Sequence, residues 1–148
     1  MQKVFITGVA GFLGSHLAKT MHELGWAVSG NDNFLGADRT NLFPFVEFFE
    51  VDCCDLASMS KAINGADLLF HCAATAHEGL SVFSPTLITK NNYEASVATF
   101  TAAIKANVKR IVFCSSMARY GDQGAPFTEV MRPEPVDPYG IAKVAAEE

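Results

Sequence analysis

No stretch of the chain is more constraining than Lys3-Val4-Phe5-Ile6-Thr7-Gly8-Val9-Ala10-Gly11-Phe12-Leu13-Gly14-Ser15-His16. Lys3 to Thr7 is a short series of β-branched and aromatic residues, which predicts a strand. Leu13, Leu17, Met21 and Leu24 then recur at helical spacing, which predicts a helix from Gly14 onward. Gly8, Gly11 and Gly14 lie between strand and helix. Glycines so placed allow a tight turn off the strand, close backbone approach to a pyrophosphate, and tight packing of helix on strand. The helix start adds unpaired N–H groups and the positive end of the helix dipole. Strand, glycine triplet and helix in that order predict a dinucleotide-binding loop.

An acid at the end of the second strand completes this pattern. Trp26 to Gly30 reads as that strand, with Asp32-Asn33 at its end. A carboxylate here accepts hydrogen bonds from ribose hydroxyls and repels a 2′-phosphate, so NAD is expected rather than NADP. Arg39, a few residues on, is the one nearby cation that could receive such a phosphate.

The chain of 148 residues is one domain by size and long enough to bury a real core. Its net charge is −5 and no basic run occurs, which argues against a nucleic-acid surface. The apolar stretches are too short for a membrane span. The first strand begins within three residues, which leaves no room for a signal peptide. Cys53, Cys54, Cys72 and Cys114 show neither metal-ligand nor C-x-x-C spacing. Four reduced thiols in a cytoplasmic protein are expected.

Further on, Phe45 to Val51 reads as a third strand, and Asp55 as the cap of a helix from Leu56 to about Asn64, closed by Gly65. Asp67 to Cys72 predicts a fully buried fourth strand, followed by Ala73-Ala74, where a flat ring could lie against the backbone. Ser84-Pro85 marks the start of a long helix, with Leu87, Tyr93, Val97, Phe100 and Ile104 as its apolar stripe. Arg110 to Cys114 is a fifth strand delivering Ser115-Ser116, and Asp137-Pro138 opens a last helix after an irregular run. Strands alternating with helices predict an α/β fold of Rossmann type. This is a doubly wound parallel sheet in three α/β/α layers. Gly8, Asp32, Asp52, Ala73 and Ser116 then all fall at C-terminal strand ends, where such sheets bind ligands.

The last helix carries Tyr139-Gly140-Ile141-Ala142-Lys143. Residues i and i+4 share a helix face, so phenol and ammonium are expected side by side. The cation and the helix dipole should both lower the tyrosine pKa and suit it to proton transfer. Ser116 is expected to hydrogen-bond the same substrate oxygen. His71, at the end of a buried strand, reads as a satisfied core histidine.

Thr7-Gly8-x-x-Gly11-x-x-Gly14, Asp32, Asp52, His71-x-Ala73-Ala74, Asn92, Ser115-Ser116-x-x-x-Tyr120-Gly121 and Tyr139-x-x-x-Lys143 together resemble the extended short-chain dehydrogenase/reductase family. The resemblance is closest to its NAD-dependent nucleotide-sugar epimerases, of the UDP-glucose 4-epimerase type, and runs the whole length of the chain. It implies that the Phe12 and Leu13 backbone meets the pyrophosphate, that Asp32 and Asn33 hold the adenosine ribose, and that Asp52 and Cys53 hold the adenine. It also implies that Cys72, Ala73, Ala74 and Asn92 line the cofactor. Tyr139 would be the base, Lys143 would hold the nicotinamide ribose, and Ser116 would polarise the sugar oxygen. A nucleotide-sugar substrate and a homodimer follow from the same resemblance.

Dehydratases of this family add an Asp-Glu pair just after the serine, where this chain has Met117, Ala118 and Arg119, so sugar dehydration is disfavoured. The decarboxylase glutamate is absent from that stretch. The epimerase lysine after the fourth strand has no counterpart either; Ala76 and His77 stand there. Reduction of a related sugar nucleotide is the neighbouring reading, and a non-catalytic dinucleotide-binding module the contrasting one. Ser116, Tyr139 and Lys143 favour an enzyme, because a pure binder has no use for that trio. The last residues, Lys143 to Glu148, lie in a predicted helix with no stop signal. Residues 1–148 are therefore expected to be the NAD-binding portion of a longer protein, with the substrate part lying outside them.

Overall fold

The computed structural model describes residues 1–148, which form two compact units. The first comprises Met1–Ala74 and Ala95–Cys114; the second comprises Thr75–Glu94 and Ser115–Glu148. The first unit contains the whole sheet. Its strands β1 (Lys3–Thr7), β2 (Ala27–Asp32), β3 (Glu47–Glu50), β4 (Leu68–His71) and β5 (Arg110–Phe113) are all parallel, in the order β3-β2-β1-β4-β5. The order reverses between β1 and β4, where a doubly wound sheet opens a crevice at its C-terminal edge.

A parallel sheet needs cover on both faces. Phe5 and Leu69 point to one face, under Met59 and Ala62 of α2 (Leu56–Ala62) and Ala102 and Ala103 of α5 (Ala95–Lys105). Val4, Ile6 and Val28 point to the other, under Ala18 and Met21 of α1 (Phe12–Glu23). The three-layer arrangement predicted from sequence is thus present. Asp55 caps α2 as expected, accepting from the N–H groups of Ala57 and Ser58, and Gly65 follows at φ +79°.

Several boundaries and faces differ from the sequence reading. Helix α1 begins at Phe12, and its buried residues are Gly14, Ser15, Ala18 and Met21, while Leu24 is exposed. The small residues face the sheet because backbone must pack on backbone there. The third strand is shorter than Phe45–Val51, since Val46 N–H turns back to the Phe43 carbonyl instead of joining the ladder. In β4 only Leu69 and His71 are fully buried.

The long helix expected from Pro85 is three segments: α4 (Pro85–Thr89), a π-helical turn (Lys90–Glu94) and α5. Ser84 makes no capping hydrogen bond with its side chain. Of the predicted apolar stripe, Leu87, Tyr93, Val97 and Ile104 are exposed, and the buried residues are Ile88, Asn92, Ala95, Ser96, Thr99, Ala102 and Ala103. The extra residue in the π turn rotates the faces, and close packing again selects small side chains. The second unit also holds α3 (Glu78–Ser81), a 3₁₀ turn at Met117–Tyr120 and α6 (Pro138–Glu147). No helix is long and apolar enough to cross a membrane.

Phe5 has 0% of its surface exposed, so Phe5→Ala should lower unfolding free energy by about 3–5 kcal/mol, read from the urea midpoint at unchanged slope.

Candidate functional site

The glycine loop follows β1 directly. Gly8 has φ +67°, and a Cβ built on it meets the Cα and N of Ala73 at 3.0 Å. One built on Gly14 falls 2.0 Å from the Gly8 carbonyl oxygen, so α1 starts in direct backbone contact with the loop. Both glycines are required by geometry, one for its conformation and its wall, the other for close approach. Gly11 is the N-cap of α1 and offers no capping side chain. Phe12 and Leu13 stand exposed in the first turn, where N–H groups have no intrahelical partner. A tight turn in which Gly8 and Gly14 leave no room for a Cβ, beside open N–H donors, suits a pyrophosphate.

Asp32, at the end of β2, is 7% exposed and held at both oxygens by backbone: Ala10 N–H donates to Oδ2 at 3.1 Å and Phe34 N–H to Oδ1 at 2.8 Å. Each oxygen retains a lone pair for a further donor. Asn33 donates to Asp52 Oδ2 at 3.1 Å, while Asp52 Oδ1 accepts from Cys54 N–H at 2.8 Å. These residues line one edge of the first unit. Cys53 is buried behind them; burial, above all, pushes its thiol pKa up, against the lowering hydrogen bond from Asn31. Cys53 therefore packs and does not act as a nucleophile. Arg39 is engaged with Glu50 at 2.7 Å and lies over the Phe34 ring at 4.0 Å. Its guanidinium is already committed, which weakens it as a phosphate receptor.

Sequence reading missed the contribution of Thr7. Its hydroxyl oxygen accepts from the N–H groups of Cys72 at 3.1 Å and Ala73 at 3.0 Å, and lies 2.7 Å from His71 Nδ1. With both lone pairs in use, the hydroxyl proton goes to Nδ1. Nε2 then carries the imidazole proton and donates to Ser96 Oγ at 2.9 Å. His71 is thus a satisfied core histidine, packed on Phe100 and Phe113. Only the threonine's place as the last residue of the strand hinted at this knot. Asn31 was missed too; its side-chain N–H group donates to the Val51 carbonyl at 2.8 Å and anchors the segment after β3.

The second unit gathers Asn92, Ser116, Tyr139 and Lys143. Asn92 is buried in the π-helical turn, donating to the carbonyls of Ile88 at 2.9 Å and Thr75 at 3.3 Å. Helix α6 packs on that turn and on α4. Asp137 caps α6, accepting from Gly140 N–H at 2.9 Å, and Pro138 occupies its first turn. A Cβ on Gly140 comes within 2.6 Å of the Ala118 carbonyl oxygen, so the start of α6 lies against the 3₁₀ turn that Ser116 caps. Tyr139 and Lys143 share one helix face as predicted, both buried, with Lys143 Nζ 5.8 Å from the centre of the Tyr139 ring.

The predicted lowering of the Tyr139 pKa is overturned. Burial raises it above the ordinary tyrosine value, and the carboxylates of Glu78 and Asp137 push the same way; only the hydrogen bond with Ser116 lowers it. Desolvation outweighs the helix start because the charged phenolate loses water on entering the packed face. Arg119 is tied to Glu147 at 2.8 Å, and Ser115 donates to the same carboxylate. His77 caps α3 without a side-chain hydrogen bond. No group of three or more metal-ligating side chains occurs.

The model of the NAD dependent epimerase/dehydratase family matches residues 4–148. A UDP-glucose 4-epimerase of Streptomyces lividans is 32% identical over 98% of this chain and 45% of its own length. A probable UDP-arabinose 4-epimerase of Arabidopsis thaliana is 32% identical over 98% of this chain and 38% of its own. Among solved structures, a UDP-glucose 4-epimerase of Thermotoga maritima with UDP-glucose superposes at TM-score 0.94 and 33% identity, covering 99% of this chain and 49% of that one. A UDP-glucose 4-epimerase of Brucella ovis in complex with NAD gives TM-score 0.94 at 30% identity, over 99% of this chain and 46% of that one. The chain spans less than half the length of these curated relatives.

Two outcomes test this geometry. Thr7→Val strips the acceptor from two N–H groups and should cost about 1–3 kcal/mol of stability in chemical denaturation. Tyr139 should titrate above the ordinary tyrosine value of about 10, seen as the alkaline absorbance difference between the protein and its Tyr139→Phe variant.

Proposed function

Because this chain belongs to the NAD dependent epimerase/dehydratase family, we propose that it is the NAD-binding portion of a nucleotide-sugar 4-epimerase. The observation that carries the reading is the buried Tyr139 phenol, hydrogen-bonded with Ser116 and sharing a helix face with Lys143. A module that only binds a dinucleotide has no use for a desolvated phenol paired with a serine.

The first unit would hold NAD. Gly8, Gly11, Gly14 and the Phe12 and Leu13 N–H groups would meet its pyrophosphate, and Asp32 and Asn33 its ribose. Asp52 and Cys53 would flank the adenine, and Cys72, Ala73 and Ala74 would line the cofactor further on; Asn92 of the second unit is assigned to the cofactor by the resemblance alone. The loop supports this, because Gly8 and Gly14 turn and pack where a Cβ would strike backbone. NAD, when bound, supplies a reversible hydride acceptor for oxidation of a sugar hydroxyl to a ketone. The chain's own residues handle the proton. Tyr139 takes it from the sugar hydroxyl in one direction and gives it back in the other. Ser116 holds the same sugar oxygen and steadies the phenolate by hydrogen bonding, and Lys143 would hold the nicotinamide ribose. Burial raises the phenol's pKa, so taking that proton draws on the lowering hydrogen bond with Ser116.

UDP-sugars are the substrate class that the similar proteins' names support. A homodimer in the cytoplasm completes the proposal. It is supported by the exposed apolar residues Val97 and Ile104 of α5 and by Leu87 of α4.

In the full-length protein, Tyr139→Phe should leave NAD affinity within about twofold and cut turnover at least about a hundredfold, assayed against UDP-, GDP- and dTDP-sugars. Undiminished turnover would overturn the assignment of Tyr139.

A further inference from the structure

The ends of β4 and β5 place two cysteines face to face. His71 pairs with Phe113 in the parallel ladder, and Cys114 N–H donates to the His71 carbonyl at 3.1 Å, carrying the ladder one residue beyond both strands. Cys72 therefore stands opposite Cys114. Their sulfurs are 3.7 Å apart, and both side chains are partly exposed. Neighbouring strands lie about 4.8 Å apart, inside the Cα separation of about 4.4–6.8 Å that disulfides take. Bond formation then asks for side-chain rotation, with little strand movement. The other two cysteines offer no such pair: Cys53 is buried with its thiol pKa pushed up by burial, and Cys54 is its immediate neighbour in sequence.

We propose that Cys72 and Cys114 form a dithiol site that low-molecular-weight disulfides close to an intramolecular disulfide. One cysteine thiolate attacks a sulfur of the small disulfide, forming a mixed disulfide and expelling one small thiolate. The second cysteine thiolate attacks the protein sulfur of that mixed disulfide, forming the Cys72–Cys114 bond and expelling the other small thiolate. The two cysteines lose two electrons and two protons, and the reagent leaves as two thiols.

The site adjoins the glycine loop. Cys72 precedes Ala73, whose backbone walls Gly8, and both N–H groups are tied to Thr7. Closing the bond swings the Cys72 side chain toward Cys114, beside that wall. Resting on the reading of that loop as the NAD cradle, closure is expected to weaken NAD binding.

The test treats the protein with glutathione disulfide and maps its peptides by mass. The expected product is a Cys72–Cys114 linkage lacking two hydrogen atoms, reversed by thiol reductant. Cys72→Ser and Cys114→Ser should each stop at a stable glutathione adduct on the remaining cysteine, with circular dichroism reporting the fold of both. A stable adduct on either cysteine of the unaltered protein overturns the proposal, and so does absence of reaction at both. Calorimetry on reduced and closed forms should show NAD bound at least about tenfold more weakly after closure. Equal affinities overturn the coupling. A reduced protein that does not bind NAD counts against the cradle, while the peptide map still decides the dithiol.

Discussion

Three hydrogen bonds at one hydroxyl hold the C-terminal edge of the sheet together. Thr7 closes β1, and its Oγ accepts from Cys72 and Ala73 while its proton goes to His71. The group sits where the strand order reverses, so the chain leaving β1 and the chain leaving β4 are fixed to each other just as both turn away from the sheet. Without that tie, the partly buried N–H groups after β4 would lose their acceptor, and the wall behind Gly8 would be free to move. Gly8 and Gly14 can carry no side chain, because a Cβ would meet the Ala73 backbone at one and the Gly8 carbonyl at the other.

The two polar sets are built by different physics. Around Asp32 the carboxylate is held by backbone N–H groups, so its position is set by the turn itself. Around Tyr139 the ordering comes from burial. Helix α6 is seated by the Asp137 cap and by close approach of Gly140 to the Ala118 carbonyl, and the phenol is desolvated as a result. That desolvation raises the cost of the phenolate, which gives the Ser116 hydrogen bond its value.

Much of the architecture was legible along the chain. Strand β1 spans Lys3–Thr7 as its β-branched run predicts, and Asp55 and Asp137 cap α2 and α6 as their side chains suggest. The readings that went astray equated large apolar residues with buried ones. On α5 the large side chains Val97 and Ile104 face outward, while alanine, serine and threonine face inward. A helix laid close on a sheet or another helix has space for little more than a methyl group. The single predicted helix also concealed a π-helical turn, because one extra residue per turn leaves no mark on composition.

By itself the sequence determined the strand–glycine–helix opening, the alternation that makes the sheet parallel, and the acid, serine, tyrosine and lysine proposed for the site. These are local choices of backbone freedom, propensity and functional group, and local physics suffices for them. Only the tertiary structure decided that Thr7 knots two strand ends, that Cys72 meets Cys114, and that Tyr139 is raised and not lowered in pKa. Each of these depends on a neighbour distant in sequence or on loss of water, and neither is written in residue spacing.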